Sequence, residues 1–290
     1  RTGPVGSGYF CAHETGTPYF PASIMAVQAG GFPLMCGMTL FAGVFQSLIG
    51  RIIHRLRILF PVEIIGLIVM LMAITFITYA LPNFIGLDAQ GSVSLPVSLL
   101  SVTALGVIIG MHIWGSQRIR ECSIVVGIVV GYLGSYMFGL LPTDKVEKFI
   151  DAPWIALPSL DHLGLAFDPA LVVPFIVAAF ASSIKTIGNL TTCQKVNDDE
   201  WKRLDMKSVG NGLFAEGIGT IIGGLLGTMG QTTSSGSVGL SVATGATSRQ
   251  IAVGTGLCFI VLAILPKIAA LFAIMPQPVI GVILMVEIAF

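Results

Sequence analysis

Residues 61–80, 95–113, 123–141 and 251–266 form apolar runs with no polar face, each about as long as the 17–25 residues that cross hydrocarbon. Between such runs lie polar stretches rich in Gly, Pro, Ser and Thr. The pattern predicts spans at 32–50, 61–81, 95–114, 122–141, 169–193, 211–229, 250–266 and 268–290, with two short, broken segments at 18–31 and 231–248. The expected fold class is an all-α polytopic membrane protein.

Composition sharpens this picture. Of 290 residues 54% are hydrophobic and 10% charged, with mean hydropathy +0.90, so water is not the solvent for most of the chain. Net charge is zero and no basic patch interleaves with aromatics, which excludes nucleic acid as a partner. Cys11, Cys36, Cys122, Cys193 and Cys258 are scattered and the four histidines isolated, so the reading assigns packing roles and no metal or cofactor. The chain opens at Arg1 and closes in an apolar run at Ile288-Ala289-Phe290, which reads as truncation at both ends.

Charge sets the orientation. Arg51, Arg55, Arg57, Arg118, Arg120, Lys195, Lys202, Arg203, Lys207 and Arg249 fall in one set of alternate loops, against Lys145, Lys148 and Lys267 in the other. The positive-inside rule places the richer set in the cytoplasm, as expected for a bacterial inner-membrane protein.

An internal repeat points to the class of function. Pro61-Val-Glu-Ile-Ile65-Gly66-Leu-Ile68-Val-Met70 resembles Pro276-Gln-Pro-Val-Ile280-Gly281-Val-Ile283-Leu-Met285, and Ser23-Ile24, Ala29 and Gly31 resemble Ser237-Val238, Ala243 and Gly245. The loops before Pro61 and Pro276 belong to opposite sides, so the copies are inverted. Secondary transporters built this way bind solute at the midplane between the ends of two discontinuous helices.

Both broken segments carry candidate chemistry. Gln231-Thr232-Thr233-Ser234-Ser235-Gly236-Ser237 is too polar to face lipid; an extended stretch followed by a half-helix from about Ser237 would aim unpaired N–H groups at the membrane centre. Ser235, Gly236 and Ser237 are therefore candidate binding residues, a packed re-entrant loop being the alternative. In the other copy Pro21 favours an extended Phe20, and Tyr19 or Phe20 could stack on a planar solute or be ordinary core. Lys185, in the middle of span 169–193, is costly in hydrocarbon and calls for a polar partner. Asn189 shares its face. Glu216 in the next span is the candidate counter-ion, either as a packing pair or as a charge partner in coupling. Glu63 and Glu287 receive no role.

These residues resemble the nucleobase-ascorbate transporter family, also called nucleobase:cation symporter-2. The resemblance rests on Gly236-Ser237-Val238-Gly239 through Thr244 with Arg249, on Lys185-Thr-Ile-Gly188-Asn189, on Gly3-Pro-Val-Gly6-Ser-Gly8-Tyr9, and on Leu56-Arg57-Ile-Leu-Phe60-Pro61. It implies fourteen segments in a 7+7 inverted repeat. The core domain would comprise 1–60 and 169–266, the gate domain 61–141 and 267–290, with an extracytoplasmic loop at 142–168. It also implies proton- or sodium-coupled symport of nucleobases such as xanthine, urate or uracil, homodimers through the gate, and no enzymatic activity.

The family commonly places a glutamate at the position of Lys185 and an acidic or amide residue at that of Gly236. An ammonium donates only, so the substitutions point to acceptor-rich or anionic solutes such as urate or a xanthine anion. An anion transporter or channel of the same fold, carrying a small carboxylate, is the alternative. A membrane enzyme or photoreceptor using Lys185 as a Schiff-base nucleophile lacks supporting residues.

Overall fold

The computed structural model describes residues 5–56, 62–87, 91–116, 119–120, 122–141, 147, 149–156, 164–198, 200–244 and 248–289. Arg1, Gly3, Arg57, Phe60, Pro61, Arg118, Lys145, Lys148 and Gly245, and the side chains of Glu63, Thr244, Arg249 and Glu287, lie outside what is described. The chain divides into two compact units, one of 1–72 and 159–256, the other of 73–158 and 257–290.

The first unit starts with strand β1 (His13–Thr15), a 3-10 turn at Thr17–Tyr19 and helix α1 (Phe20–Leu56). The helix is continuous in sequence but broken at Gly30 and Gly31, Gly31 adopting φ 73° and ψ −166°, where a side chain would be strained. Pro33 follows and removes a helical donor. The break falls where segments 18–31 and 32–50 were expected to meet. Phe20, however, is helical at φ −56° and ψ −51°, not extended. The bias imposed by Pro21 yields because proline is well tolerated in a first helical turn.

Helix α5 (Val172–Asn197) is entered through a 3-10 turn capped by Asp168, and α6 (Met206–Leu225) is capped by Asp205, whose Oδ1 accepts from Lys207 N at 2.9 Å and Ser208 N at 3.3 Å. That cap starts α6 ahead of the span expected at 211–229. Strand β2 (Gln231–Thr233) pairs antiparallel with β1 in the register His13–Thr233, Glu14–Thr232 and Thr15–Gln231, and α7 (Ser235–Thr244) follows. The extended piece thus lies inside the segment expected at 231–248 but ahead of the one expected at 18–31.

Glycines bring the second half of α1 against α6 at backbone distance. A Cβ on Gly43 would lie 2.7 Å from Ile221 N, one on Gly50 2.7 Å from Phe214 N, and one on Gly224 2.8 Å from Leu40 N. The antiparallel contact repeats every two turns, the small-residue packing that membrane helices use. Around it lie two buried clusters, one with Tyr19, Met38 and Phe175, the other with Ile53, Leu190 and Leu213.

Helices α2 (Val62–Ile85) and α8 (Arg249–Ala263) contribute residues to both units. The second unit also holds α3 (Leu95–Trp114), α4 (Ser123–Met137), α9 (Pro266–Ala273) and α10 (Gln277–Ala289), with Ala104, Ile108, Val282 and Val286 at its core. The span expected at 268–290 is therefore two helices. The chain bends by 85° between α8 and α9, and Pro276 separates α9 from α10, since proline cannot donate within a continuing helix. Among the described residues three helices are long and apolar enough to cross a membrane, or four if the bent pair is one span.

Candidate functional site

The polar residues of α5 fall on one stripe. Ser182, Lys185, Thr186 and Asn189 are spaced three or four apart and face β1, β2 and α6. Each meets a different partner.

Lys185 Nζ lies 3.0 Å from Glu14 Oε1. This corrects the expected pairing with Glu216. The carboxylate of Glu216 is wholly buried and held by uncharged donors: Gln46 Nε2 at 2.6 Å, Ser182 Oγ at 2.6 Å and Thr186 Oγ1. Three donors satisfy an acceptor-only group, while strand pairing brings the carboxylate of Glu14 to the lysine. Gln46 Oε1 in turn accepts from Tyr19 Oη and Thr220 Oγ1, each at 3.2 Å.

Tyr19 is thereby removed from the stacking role. Its ring is 0% exposed, and a Cβ on Gly230 would come within 2.5 Å of it, so core packing encloses it on all sides. Phe20 is half-buried at the start of α1 and keeps an accessible edge.

Asn189 anchors the second broken segment. Its Nδ2 donates to Thr233 O at 3.2 Å and Thr233 Oγ1 at 2.9 Å, and its Oδ1 accepts from Ser235 Oγ at 3.2 Å. Ser237 is engaged within its own turn, Oγ donating to Ser234 O at 2.9 Å and N donating to Ser234 Oγ at 3.3 Å. The amide of Asn189 and the Ser235 and Ser237 hydroxyls thus hold the start of α7 in place. What α7 still offers a solute is the N–H groups of Ser235 and Gly236, which precede any intrahelical acceptor, beside an exposed Gly236.

A cavity of about 280 Å³ lies on the other face of β1, lined by Cys11, His13, Thr186, Thr233, Gly212 and Ala215 among others. Alternation along the strand puts Glu14 on the face opposite His13, while Thr186 of the α5 stripe and Thr233 line the cavity. Among the described residues no cluster suited to a metal ion occurs.

Glu14, Gln46, Ser182 and Thr186 were not singled out by sequence reading. Of the stripe on α5, only the shared face of Lys185 and Asn189 was read from spacing. Glu14 and Gln46 lack any such local sign, because their partners lie far away in the chain.

The chain is similar to known proteins in sequence and in fold. The uric acid permease PucK of Bacillus subtilis (strain 168) is 27% identical over 253 residues, covering 87% of this chain and 57% of its own length. The xanthine permease XanP of Escherichia coli (strain K12) is 25% identical over 293 residues, covering 96% of this chain and 63% of its own length. The chain thus spans less than two thirds of the length of these relatives. The transmembrane domain of a cyanobacterial bicarbonate transporter, BicA, matches in fold with TM-score 0.67 at 17% identity, covering 98% of this chain and 76% of that one, and carries the 7+7 inverted-repeat architecture. A model of the permease family, that of the xanthine and uracil permeases, matches residues 6–290, and the chain belongs to that family.

Proposed function

We propose that this chain is part of a secondary active transporter that moves nucleobases such as xanthine, urate or uracil across a membrane, driven by protons or sodium. The observation that carries the reading is the pairing of the two strands that lead into α1 and α7. Strands β1 and β2 meet antiparallel within an apolar unit, each followed by a helix, beside an ion pair on a membrane-length helix. Such irregular backbone in an apolar protein lines protein or water, which suits a solute site. The relatives named as uric acid and xanthine permeases support the substrate class.

In this reading the unit of 1–72 and 159–256 is the core that holds the solute, and the unit of 73–158 and 257–290 is the gate against which it moves. Homodimers through the gate belong to the same proposal. Phe20 stacks on the base, and the N–H groups at the start of α7 and the charges of Lys185 and Glu14 meet its polar edge. Glu216, buried and ringed by donors, is the candidate coupling group.

Uptake of radiolabelled xanthine, urate and uracil into proteoliposomes holding the full-length parent tests the reading. Saturable uptake that requires a proton or sodium gradient is expected. Uptake of none of the three in folded protein overturns the nucleobase assignment. The second reading, an anion transporter or channel, rests on the partly exposed ammonium of Lys185 and the N–H groups at the start of α7; gradient-independent flux of a small carboxylate would establish it.

A further inference from the structure

The expectation of an anionic solute followed from Lys185 and Gly236 standing where the resemblance implies hydrogen-bond acceptors. The structure gives the lysine a carboxylate. Lys185 and Glu14 join the middle of α5 to strand β1 at 3.0 Å, and the charges of the pair sum to zero.

The pair also differs from the buried carboxylate beside it. The side chain of Lys185 is 14% exposed and that of Glu14 30%, whereas Glu216 is sealed and fully bonded. Only Oε1 of Glu14 is engaged by the lysine, and Oε2 has no donor among the described residues. The structure therefore shows a cationic donor and an accessible anionic acceptor side by side.

Resting on the nucleobase reading above, we propose that Glu14 is a substrate-binding residue. It supplies an accessible carboxylate acceptor beside the ammonium, so that the pair selects a neutral heterocycle presenting an N–H next to a C=O. The carbonyl of such an edge accepts from the ammonium while the N–H donates to Glu14 Oε2. Deprotonating the heterocycle removes the donor and sets a negative charge against a carboxylate. The neutral form of a given base therefore binds more tightly than its anion.

Binding of radiolabelled xanthine to the full-length parent, at pH values below and above the ionisation of its N–H, tests the assignment. Wild type should lose affinity as xanthine becomes an anion. Glu14→Gln should weaken binding of neutral xanthine by about 10- to 100-fold, the range for a charge-assisted hydrogen bond, and flatten the preference for the neutral form. Neutral xanthine bound by folded Glu14→Gln within twofold of wild type overturns the role of Glu14, as does wild-type preference for the anion. If Glu14→Gln does not fold, the double variant E14K/K185E, which keeps an ion pair, decides the matter. Retained selectivity for the neutral form supports the proposal, and equal affinity for both forms overturns it. A wild type that binds no xanthine, urate or uracil overturns instead the nucleobase reading on which the proposal rests.

Discussion

Gln46 Nε2 donates to Glu216 Oε1 at 2.6 Å, hanging a carboxylate of α6 on an amide of α1 inside a cluster in which both residues are fully buried. The amide is oriented by its other end, where Tyr19 and Thr220 donate to Oε1. Glu216 is consequently an acceptor surrounded by groups that can only offer it hydrogens on that side. Buried networks of this kind are costly to leave partly satisfied.

Glu216→Gln should therefore lower stability by about 1–3 kcal/mol, because the amide loses the charge that strengthens these bonds and offers hydrogens where Thr186 Oγ1 now donates. The double variant Q46E/E216Q reverses donor and acceptor and should recover at least half of that loss. Thermal unfolding of the two variants in detergent, beside wild type, measures both.

The contact between α1 and α6 leaves no room for a methyl group. A Cβ on Gly217 would lie 2.6 Å from Ser47 N, so Gly217→Ala should cost about 1–3 kcal/mol through backbone displacement. Gly254→Ala serves as its control, since nothing lies within 4 Å of the added carbon. A melting temperature that falls for the first variant and holds for the second is the expected result.

Gly31 adopts φ 73° and ψ −166°, so Gly31→Ala should destabilise by about 1–3 kcal/mol although open space surrounds it, the nearest atom being Pro33 Cδ at 3.6 Å. The loss is of backbone origin. Gly31→Asn should behave like the alanine variant in the same melting assay.

Asn189 fixes β2 and the start of α7 through donors as well as an acceptor. Asn189→Asp turns the donors facing Thr233 into a second acceptor. Amide hydrogen exchange over 231–239 should speed up by at least about 10-fold, equivalent to 1.4 kcal/mol of local stability, with α3 unchanged as internal reference.

Because Tyr19 is core and Phe20 keeps an accessible edge, Tyr19→Phe should reduce stability by about 0.5–1.5 kcal/mol and leave xanthine affinity unchanged. Phe20→Ala should do the opposite in the same membranes, weakening binding by about tenfold. Equal loss of binding in both variants would show that stacking does not depend on accessibility.

Much of the fold could be read from residues next to one another. The break in α1 follows from Gly30, Gly31 and Pro33, and the polar run Gln231–Gly236 marks the second discontinuity, because backbone freedom and lack of apolar surface are local properties. The end of the chain was misread as one span since a long apolar run hides a bend, and α9 is apolar enough to pass for part of its neighbour. The glycines at 210, 217 and 224, like those at 43 and 50, recur every seven residues, a signal present in the sequence and confirmed by contact.

By itself the sequence determined the solvent of this protein, the broken segments and the shared face of Lys185 and Asn189 on α5, since each depends on hydrophobicity and spacing within a few helical turns. Only the tertiary structure decided that Lys185 pairs with Glu14 and that Gln46 holds Glu216. These partners stand 171 and 170 residues apart. Which carboxylate reaches which donor depends on the register of β1 with β2 and on the glycine-lined crossing of α1 with α6. Charge and hydropathy along a single chain carry no record of that geometry, because a long-range pair is selected by the faces that packing brings together.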